Sequence, residues 1–249
     1  MKNFCISLTT IPPRVKFIKK TLESLSNQSV KANKIFLNIP KNFRRFKDNV
    51  NIDIKSLEKE FENLEVVSCK DFGPGTKLLG SLQKIQSYDY VILVDDDHIY
   101  KNQMLELFNS QFLNDVNTSY SFHVYNVKDC KVGQGADGYL INTKYLKGIS
   151  NFYENYVKND KRLIINDDLW ISIYLNKIMK INIKSIFSLI KQPNFFKIKS
   201  IYKKHTQTGA IIETYSEDRK KAREIKHKEN CQTYGELKSK TKNFTVVLS

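Results

Sequence analysis

The first half of the chain alternates short apolar runs with amphipathic segments. The apolar runs have the length of β-strands, and we predict strands at residues 4–9, 34–39, 64–68 and 89–94. Between them, apolar side chains recur three or four residues apart, which predicts helices at 15–27, 51–63, 76–87 and 102–113. Strands that alternate with helices in this way are typical of βαβ units, so we expect an α/β fold with a mostly parallel sheet flanked by helices.

The second half of the chain is less regular. Its pattern predicts strands at 119–125, 139–142, 195–202 and 244–248, a flexible loop at 133–138 and a helix at 167–178. The segment from 216 to 240 is highly charged, and we expect it to be helical at least as far as Cys231. We therefore predict a single domain over residues 1–215, followed by a charged helical extension over 216–249.

Three consecutive carboxylates, Asp95, Asp96 and Asp97, follow the apolar run 90–94. A strand interior does not tolerate such a cluster, because like charges repel and ionised groups are costly to bury. At the carboxyl end of a strand in an α/β sheet, the same cluster can hold a divalent cation and a phosphorylated ligand. A surface turn is the alternative interpretation. The length and apolarity of the preceding run favour a site.

Two further loops follow predicted strands and should reach the same edge of the sheet. The first runs from Thr9 to Arg14 and contains two prolines; the Arg14 guanidinium suits a phosphate, although proline also commonly precedes a helix. The second runs from Asp71 to Lys77. Lys77 in a first helical turn opposes the helix dipole, and a phosphate bound there would remove that conflict. The alternative for this loop is an ordinary Pro-Gly turn, and GxxxxGK[ST] is absent.

A second acidic group, Asp167 and Asp168 after Asn166, stands where a helix is predicted to begin. A helix cap needs one such residue, so one carboxylate is available as a general base. Asp168 lies one step further into the helix and is the less natural cap, so we favour Asp168 and keep Asp167 as the alternative. Two histidines, His98 and His205, are candidate metal ligands, and the sequence leaves both open.

Composition and charge change this picture in two ways. The chain has 249 residues, a hydrophobic fraction of 41% and a net charge of +15. The charge fits nucleic acid, an anionic membrane surface or a phosphorylated substrate, although dispersed lysines also arise from codon bias. The four cysteines show no CxxC spacing, no apolar leader opens the chain and no run approaches the about 20 residues of a membrane span. We therefore expect a cytoplasmic protein that touches the inner membrane face through the helix beyond residue 216.

Several motifs together resemble those of a known family. They are the opening 6–14 (ISLTTIPPR), 71–78 (DFGPGTKL), 91–97 (VILVDDD) and 167–172 (DDLWIS). Their order and spacing resemble nucleotide-sugar glycosyltransferases of the GT-A fold, in particular bacterial and viral family-2-like members, over residues 3–178. The resemblance departs from the family after the second strand, where 38–41 (NIPK) lacks the usual acidic cluster. No QxxRW motif is present, which argues against a processive polymer-making enzyme.

The resemblance implies a role for each candidate residue. Asp97 would bind Mn²⁺ or Mg²⁺ directly, and Asp95 and Asp96 would lie near the donor ribose and the metal-bound water. Asp95 is thereby a second candidate ligand of the metal, and His205 stays a candidate on its sequence position alone. Thr9, Arg14 and Lys77 would contact the nucleotide and its pyrophosphate. Asp168 or Asp167 would be the base. Gly135 and Asp137 would lie near the acceptor.

These expectations combine into a metal-dependent, inverting glycosyltransferase. It would move a sugar from a nucleotide-sugar donor to a hydroxyl of a glycan or lipid-linked saccharide acceptor. One alternative is a sugar-phosphate nucleotidyltransferase, but the loop from Thr9 to Arg14 lacks the glycines that usually follow the first strand of such enzymes. The other is a non-catalytic basic module. It explains the charge of +15 but not the aspartates, which would repel phosphate. We therefore expect no nucleic-acid partner.

Overall fold

A twisted β-sheet organises the chain, for which the computed structural model describes residues 2–47, 50–189, 199–200 and 219–246. The strands in these residues are β1 (Phe4–Thr9), β2 (Lys34–Pro40), β3 (Leu64–Cys69), β4 (Tyr90–Leu93), β5 (His98–Ile99), β6 (Thr118–Ser121), β7 (Val124–Val127), β8 (Cys130–Gly133), β9 (Tyr139–Asn142), β10 (Asn182–Ser185) and β11 (Lys199–Ser200).

Helices connect most of these strands. The α-helices in the described residues are α1 (Ile18–Ser26), α2 (Ile54–Glu60), α3 (Thr76–Leu79), α4 (Leu82–Ile85), α5 (Met104–Asn114), α6 (Ile149–Phe152), α7 (Lys161–Ile164), α8 (Asp167–Ile173), α9 (Ile186–Leu189) and α10 (Arg219–Lys240). A 3₁₀ turn, Val15–Phe17, precedes α1. Two π-helical segments, Tyr153–Val157 and Tyr174–Ile178, extend α6 and α8.

The main sheet has seven strands in the order β10-β6-β9-β4-β1-β2-β3. Neighbouring strands are parallel except where β9 runs antiparallel between β4 and β6. The chain builds outward from β1 to β3 and then returns to place β4 on the other side of β1. Ligands in open α/β sheets bind beyond the carboxyl ends of the strands at such a reversal. The reversal therefore lies beside the Asp95–Asp97 triplet, because that triplet follows β4.

Both faces of the sheet are buried, as expected for parallel strands covered by helices. Because side chains alternate along a strand, β1 sends Phe4 and Ile6 into one apolar layer and Cys5 into the other. The first layer contains Leu22 of α1, and the second contains Trp170 of α8. The helix that carries Asp167 and Asp168 is thereby fixed against the core.

The predicted strands and helices of the first half are confirmed, with one correction. Residues 76–87 form two short helices, α3 and α4, instead of one. The break follows Gly80, where a Cβ would lie 2.7 Å from Asn38 Oδ1 on β2. The next residue, Ser81, places its Oγ 3.2 Å from Ser7 Oγ on β1. Hydrogen bonding to the sheet thus overrides helical periodicity at this point.

The second half also departs from the prediction. Residues 119–125 do not form one strand: β6 belongs to the main sheet, and β7 pairs with β8 in a separate two-stranded sheet. Of the strand predicted at 195–202, residues 199–200 are described as β11, which pairs with β5. Residues 244–246 are not in a strand, and 247–249 lie outside the described residues, as does the predicted domain boundary at 215 and 216.

The charged helix predicted beyond residue 216 is confirmed as α10. It packs against the body of the protein: Asn166 Nδ2 donates a 2.9 Å hydrogen bond to Asn230 Oδ1, and Arg162 forms a 2.6 Å ion pair with Glu236. Tyr234 also donates a 2.6 Å hydrogen bond to Asp129. Among the described residues, no helix combines the length and the apolar character that crossing a membrane requires.

Candidate active site

A cavity of about 800 Å³ opens at the carboxyl edge of β1 and β4. Eight residues singled out in the sequence line it: Thr9, Arg14, Lys77, Asp95, Asp96, Asp97, Asp167 and Asp168. The fold therefore brings together side chains that are up to 159 positions apart in the sequence, from Thr9 to Asp168.

Arg14 joins two of the clustered aspartates. Its Nη1 lies 2.9 Å from Asp96 Oδ1 and 2.9 Å from Asp97 Oδ2. Thr10 donates a 2.6 Å hydrogen bond to the other Asp96 oxygen. Burial raises the pKa of Asp96 to about 6 despite these partners. Burial also acts to raise the pKa of Asp97, but the His98 hydrogen bond and the Arg14 charge outweigh it and lower that pKa.

His98 contacts the cluster directly. Its Nδ1 lies 2.8 Å from Asp97 Oδ1, and its side chain is 18% exposed. Burial alone would lower the pKa of His98, but the Asp97 carboxylate raises it. His98 is therefore largely buried and a direct partner of the Asp97 carboxylate.

Tyr100 holds the backbone beneath the cluster. Its hydroxyl oxygen accepts a 3.0 Å hydrogen bond from the Asp95 N–H and lies 3.1 Å from the carbonyl oxygens of Asp95 and Ala136. The Tyr100 side chain thereby connects the loop after β4 to the loop that contains Gly135.

Lys77 lies between the two acidic groups. Its ammonium forms a short ion pair with Asp95 and lies 3.1 Å from Asp167 Oδ2. Burial alone would lower the pKa of Lys77, but the charges of Asp167, Asp95 and Asp168 raise it well above its usual value. In the structure, carboxylates therefore compensate this buried cation at the start of α3.

Asp167 and Asp168 both line the cavity. The N-cap of α8 is Asn166, which leaves both aspartates inside the helix. Asp168 Oδ1 accepts a 2.9 Å hydrogen bond from the Gly135 N–H. Burial and the adjacent Asp167 charge raise the pKa of Asp168 to about 8. The two carboxylates thus have different partners, Lys77 for Asp167 and a backbone amide for Asp168.

The glycines of the loop before α3 permit close contact with α7 and α8. Gly73 has a φ of +64°, and a Cβ there would lie 2.8 Å from the Ile164 carbonyl oxygen. A Cβ on Gly75 would lie 2.8 Å from Trp170 Cζ2. The two glycines thus let this loop lie directly against these two helices, and the contact brings Lys77 within reach of Asp167.

The remaining sequence-predicted residues have different surroundings. Thr9 donates a 2.8 Å hydrogen bond to the Asn38 carbonyl oxygen. Neither Gly135 nor Asp137 lines the cavity, although a Cβ on Gly135 would lie 3.0 Å from Lys77 Nζ. Burial raises the pKa of Asp137. His205 lies outside the described residues.

Two groups of cavity residues were missed from the sequence. One is the loop Phe43, Arg44, Arg45 and Phe46 after β2, where two aromatic rings flank two cations. That pattern is visible in the sequence and is the local signal that could have singled out this loop. The other group is Lys158, Lys161 and Lys226. These residues are scattered among many other lysines, and no local signal separates them.

The donor groups around the cavity suit a hard divalent cation. Among the residues that the structure describes, no three His, Cys, Asp or Glu side chains form a group able to hold a metal ion. Mg²⁺, however, is commonly held by one or two carboxylates together with substrate phosphates and water. Asp95 and Asp97 supply such carboxylates, and an ionised carboxylate accepts several partners at once. The residues present therefore fit a metal ion completed by its substrate.

No protein-family model and no curated protein matches the sequence. Similar solved structures exist, among them a mannosyltransferase from Pyrobaculum calidifontis in complex with GDP-Man and Mn²⁺: identity is 11%, coverage 96% of this chain and 75% of that one, and the TM-score 0.56. S. aureus TarS 1–349 is 16% identical over 67% of this chain and 55% of that one, with a TM-score of 0.46. M. tuberculosis glucosyl-3-phosphoglycerate synthase is 14% identical over 58% of this chain and 58% of that one, with a TM-score of 0.42.

The likeness to the mannosyltransferase extends over nearly the whole chain, while the chain spans about half the length (55%) of the TarS structure. At these identities the comparison concerns architecture. It agrees with the mostly parallel seven-stranded sheet and its flanking helices. The chain has the GT-A fold, as its motifs predict.

Proposed function

We propose that this protein is a metal-dependent, inverting glycosyltransferase that moves a sugar from a nucleotide-sugar donor to a hydroxyl of a glycan or lipid-linked acceptor. One observation carries the proposal: a single cavity holds the Asp95–Asp97 triplet and the Asp167–Asp168 pair, with Lys77 between them. The fold neighbour solved with GDP-Man and Mn²⁺ supports a donor of this class.

The donor's diphosphate would lie near Arg14 and Lys77. Negative charge grows on a nucleoside diphosphate as the glycosidic bond breaks, and preorganised cations stabilise that charge most strongly where water is excluded. Both side chains are largely buried and already held by carboxylates. The half-buried rings of Phe43 and Phe46, 6.1 Å apart, offer apolar surface to the nucleobase.

A divalent cation, Mn²⁺ or Mg²⁺, would be held by Asp97 and Asp95. When bound, it would act as a Lewis acid toward the leaving diphosphate. Arg14 and His98 already fix the two oxygens of Asp97, so this carboxylate is oriented before any ligand arrives. Asp96 is held by Thr10 and Arg14, which makes it a supporting member of the cluster.

Asp168 is the proposed base. The Gly135 amide orients its carboxylate, and its raised pKa makes it a stronger proton acceptor than an ordinary aspartate once it is ionised. Asp168 takes the acceptor's hydroxyl proton while that oxygen attacks the anomeric carbon and the nucleoside diphosphate leaves from the other face. A single displacement of this kind inverts the anomeric configuration. Asp167 pairs with Lys77 and so fixes the Lys77 ammonium against the start of α8.

A peripheral membrane contact would suit a lipid-linked acceptor. Apart from Lys226, which lines the cavity, the described, exposed part of α10 carries Arg223 and Lys228, and a basic residue near an anionic surface contributes about 1 kcal/mol. Sedimentation with vesicles tests this contact. Equal pelleting with neutral and anionic lipid would refute it.

The function is tested by incubating the purified protein with a panel of nucleotide sugars and measuring nucleoside diphosphate release with and without Mn²⁺. We expect release from at least one donor that depends on the metal. A nucleotidyltransferase would instead release pyrophosphate from a nucleoside triphosphate and a sugar phosphate. Pyrophosphate release together with inert nucleotide sugars would replace the proposed reaction with that one.

A further inference from the structure

Three lysines from separate segments line the cavity at its mouth. Lys158 follows the π-helical segment Tyr153–Val157, Lys161 begins α7, and Lys226 lies on α10. All three line the cavity, and all three are exposed. We refer to Lys158, Lys161 and Lys226 as the mouth lysines.

The mouth lysines lie on the side of the cavity formed by α7 and α8. Lys161 is in the helix that directly precedes α8, and Lys226 also lines a second, small cavity of about 30 Å³ with Ile165 and Asn166. The hydrogen bond from Asn166 to Asn230 fixes α10 at this place. Lys226 precedes Asn230 by four residues and shares its helix face. Lys161 and Lys226 therefore lie close to the start of α8, where Asp167 and Asp168 line the cavity, while Lys158 follows the segment whose Tyr153 contacts Arg44 of the loop after β2.

Little in the protein neutralises the mouth lysines. Lys158 forms a 2.8 Å ion pair with Glu154, but both side chains are about 40% exposed, and pairs of this kind contribute little. Lys161 and Lys226 have no carboxylate partner in the part of the chain that the structure describes. A cleft edged by charge of one sign concentrates ligands of the opposite sign.

The charges of the cavity are thus arranged in two layers. Its floor carries the aspartates at 95–97, 167 and 168, together with Arg14 and Lys77. The basic side chains at its mouth, which are the mouth lysines on the α7–α8 side and Arg44 and Arg45 after β2, are exposed. The carboxylates at the floor would repel any anion beyond the donor diphosphate. An anionic group that enters through the mouth would therefore stay at the mouth lysines. A molecule with its charge at one end would then extend its other end toward Asp168.

We propose that the mouth lysines bind a phosphate group carried by the acceptor, so that the acceptor is a phosphorylated saccharide or lipid-linked phosphate. This inference rests on the proposed function, since it places the acceptor hydroxyl at Asp168. Lysine ammonium groups are established binders of phosphate as point charges. A free sugar phosphate and a lipid phosphate offer the same chemistry, and the experiment distinguishes them.

The test is calorimetric titration of the full chain with glucose 6-phosphate, with glucose as the neutral control. We expect the K158A/K161A/K226A variant to bind glucose 6-phosphate about tenfold or more weakly than the wild type, the equivalent of one strong charged contact. The matched control is K55A/K59A/K131A, which removes three exposed lysines that do not line the cavity and should leave affinity unchanged. If the triple variant does not fold, the single variant K226E serves instead.

A second arm measures pelleting with vesicles of phosphatidylcholine with or without phosphatidic acid. If the protein binds glucose 6-phosphate but not phosphatidic acid, the acceptor is a soluble phosphorylated saccharide. If it binds both, and the binding to phosphatidic acid depends on the mouth lysines, the acceptor is a lipid phosphate. Either result supports the proposal. It is overturned if the wild type binds neither, or if the triple variant binds like the wild type. It is also overturned if UDP and GDP lose as much affinity as glucose 6-phosphate, because the lysines would then serve the donor. A wild type that hydrolyses no nucleotide sugar but binds glucose 6-phosphate through these lysines would sink the proposed function alone.

Discussion

Lys77 Nζ lies 3.1 Å from Asp167 Oδ2, which connects the loop after β3 to the start of α8. The same ammonium is paired with Asp95 after β4. One buried cation thus holds together three segments that converge at the carboxyl edge of the sheet. Its surroundings indicate that it serves both the stability of the protein and the electrostatics of the cavity.

Replacing Lys77 by Met should lower the free energy of unfolding by about 3 kcal/mol, because it leaves a buried carboxylate without its partner. The double variant Lys77→Met/Asp167→Asn should recover part of that loss, since it removes both charges. Urea denaturation of the four members of this cycle measures the coupling. Lys84→Met is the control: Lys84 and Glu65 form an exposed pair, and the expected change is below about 1 kcal/mol. Equal costs at Lys77 and Lys84 would contradict the account.

Asp168→Asn should lower the transfer rate by about 10²–10⁴-fold, because the amide keeps the shape of the side chain but cannot accept the proton. Donor affinity should be retained, since the proposed base contacts the acceptor. Steady-state kinetics and nucleotide titration separate the two effects. Asp167→Asn is the matched comparison. If it loses activity while Asp168→Asn keeps it, the roles are reversed; if both keep activity, the base lies elsewhere.

The raised pKa of Asp168 also predicts how stability depends on pH. The unfolded carboxyl ionises near its ordinary value of 3.8, whereas the folded one ionises near 8, so folding retains a proton between these values. This group's contribution to stability should therefore fall as pH rises across that window and level off above it. Unfolding of the wild type and Asp168→Asn from pH 5 to 9 tests the sign. Parallel pH profiles for the two proteins would rule out this effect.

The aromatic loop after β2 yields a prediction about the nucleotide. Phe43→Ala and Phe46→Ala should each weaken UDP or GDP binding about tenfold, the magnitude expected for loss of one ring stacked on a base. Leu113→Ala is the control, because Leu113 is 57% exposed and does not line the cavity. Unchanged affinity in both Phe variants would place the base elsewhere.

The sequence predicts the sheet and the floor of the cavity well. Runs such as Tyr90–Leu93 are apolar because parallel strands are buried on both faces, and the Asp95–Asp97 triplet must lie where such a strand ends. These features are local, so a single stretch of residues is enough to recognise each of them.

Other features depend on contacts between distant residues. The break between α3 and α4 arises from Asn38 and Ser7, which belong to strands far away in the sequence. Lys226 reaches the cavity because α10 packs on Asn166. Its local pattern resembles that of any charged helix. The charge of Lys77 is likewise compensated by Asp167 because α8 packs against the loop that contains Gly73 and Gly75.

The central claim is that the carboxylate triplet binds a nucleotide through a divalent cation. It is tested most directly by titrating UDP and GDP into the wild type and Asp97→Ala, with Mn²⁺ and after chelation. The account predicts that the wild type binds at least one of them only with Mn²⁺, and that Asp97→Ala, folded by circular dichroism, loses that dependence. Wild-type binding indifferent to the metal, or unaltered Mn²⁺-dependent binding by Asp97→Ala, would contradict it.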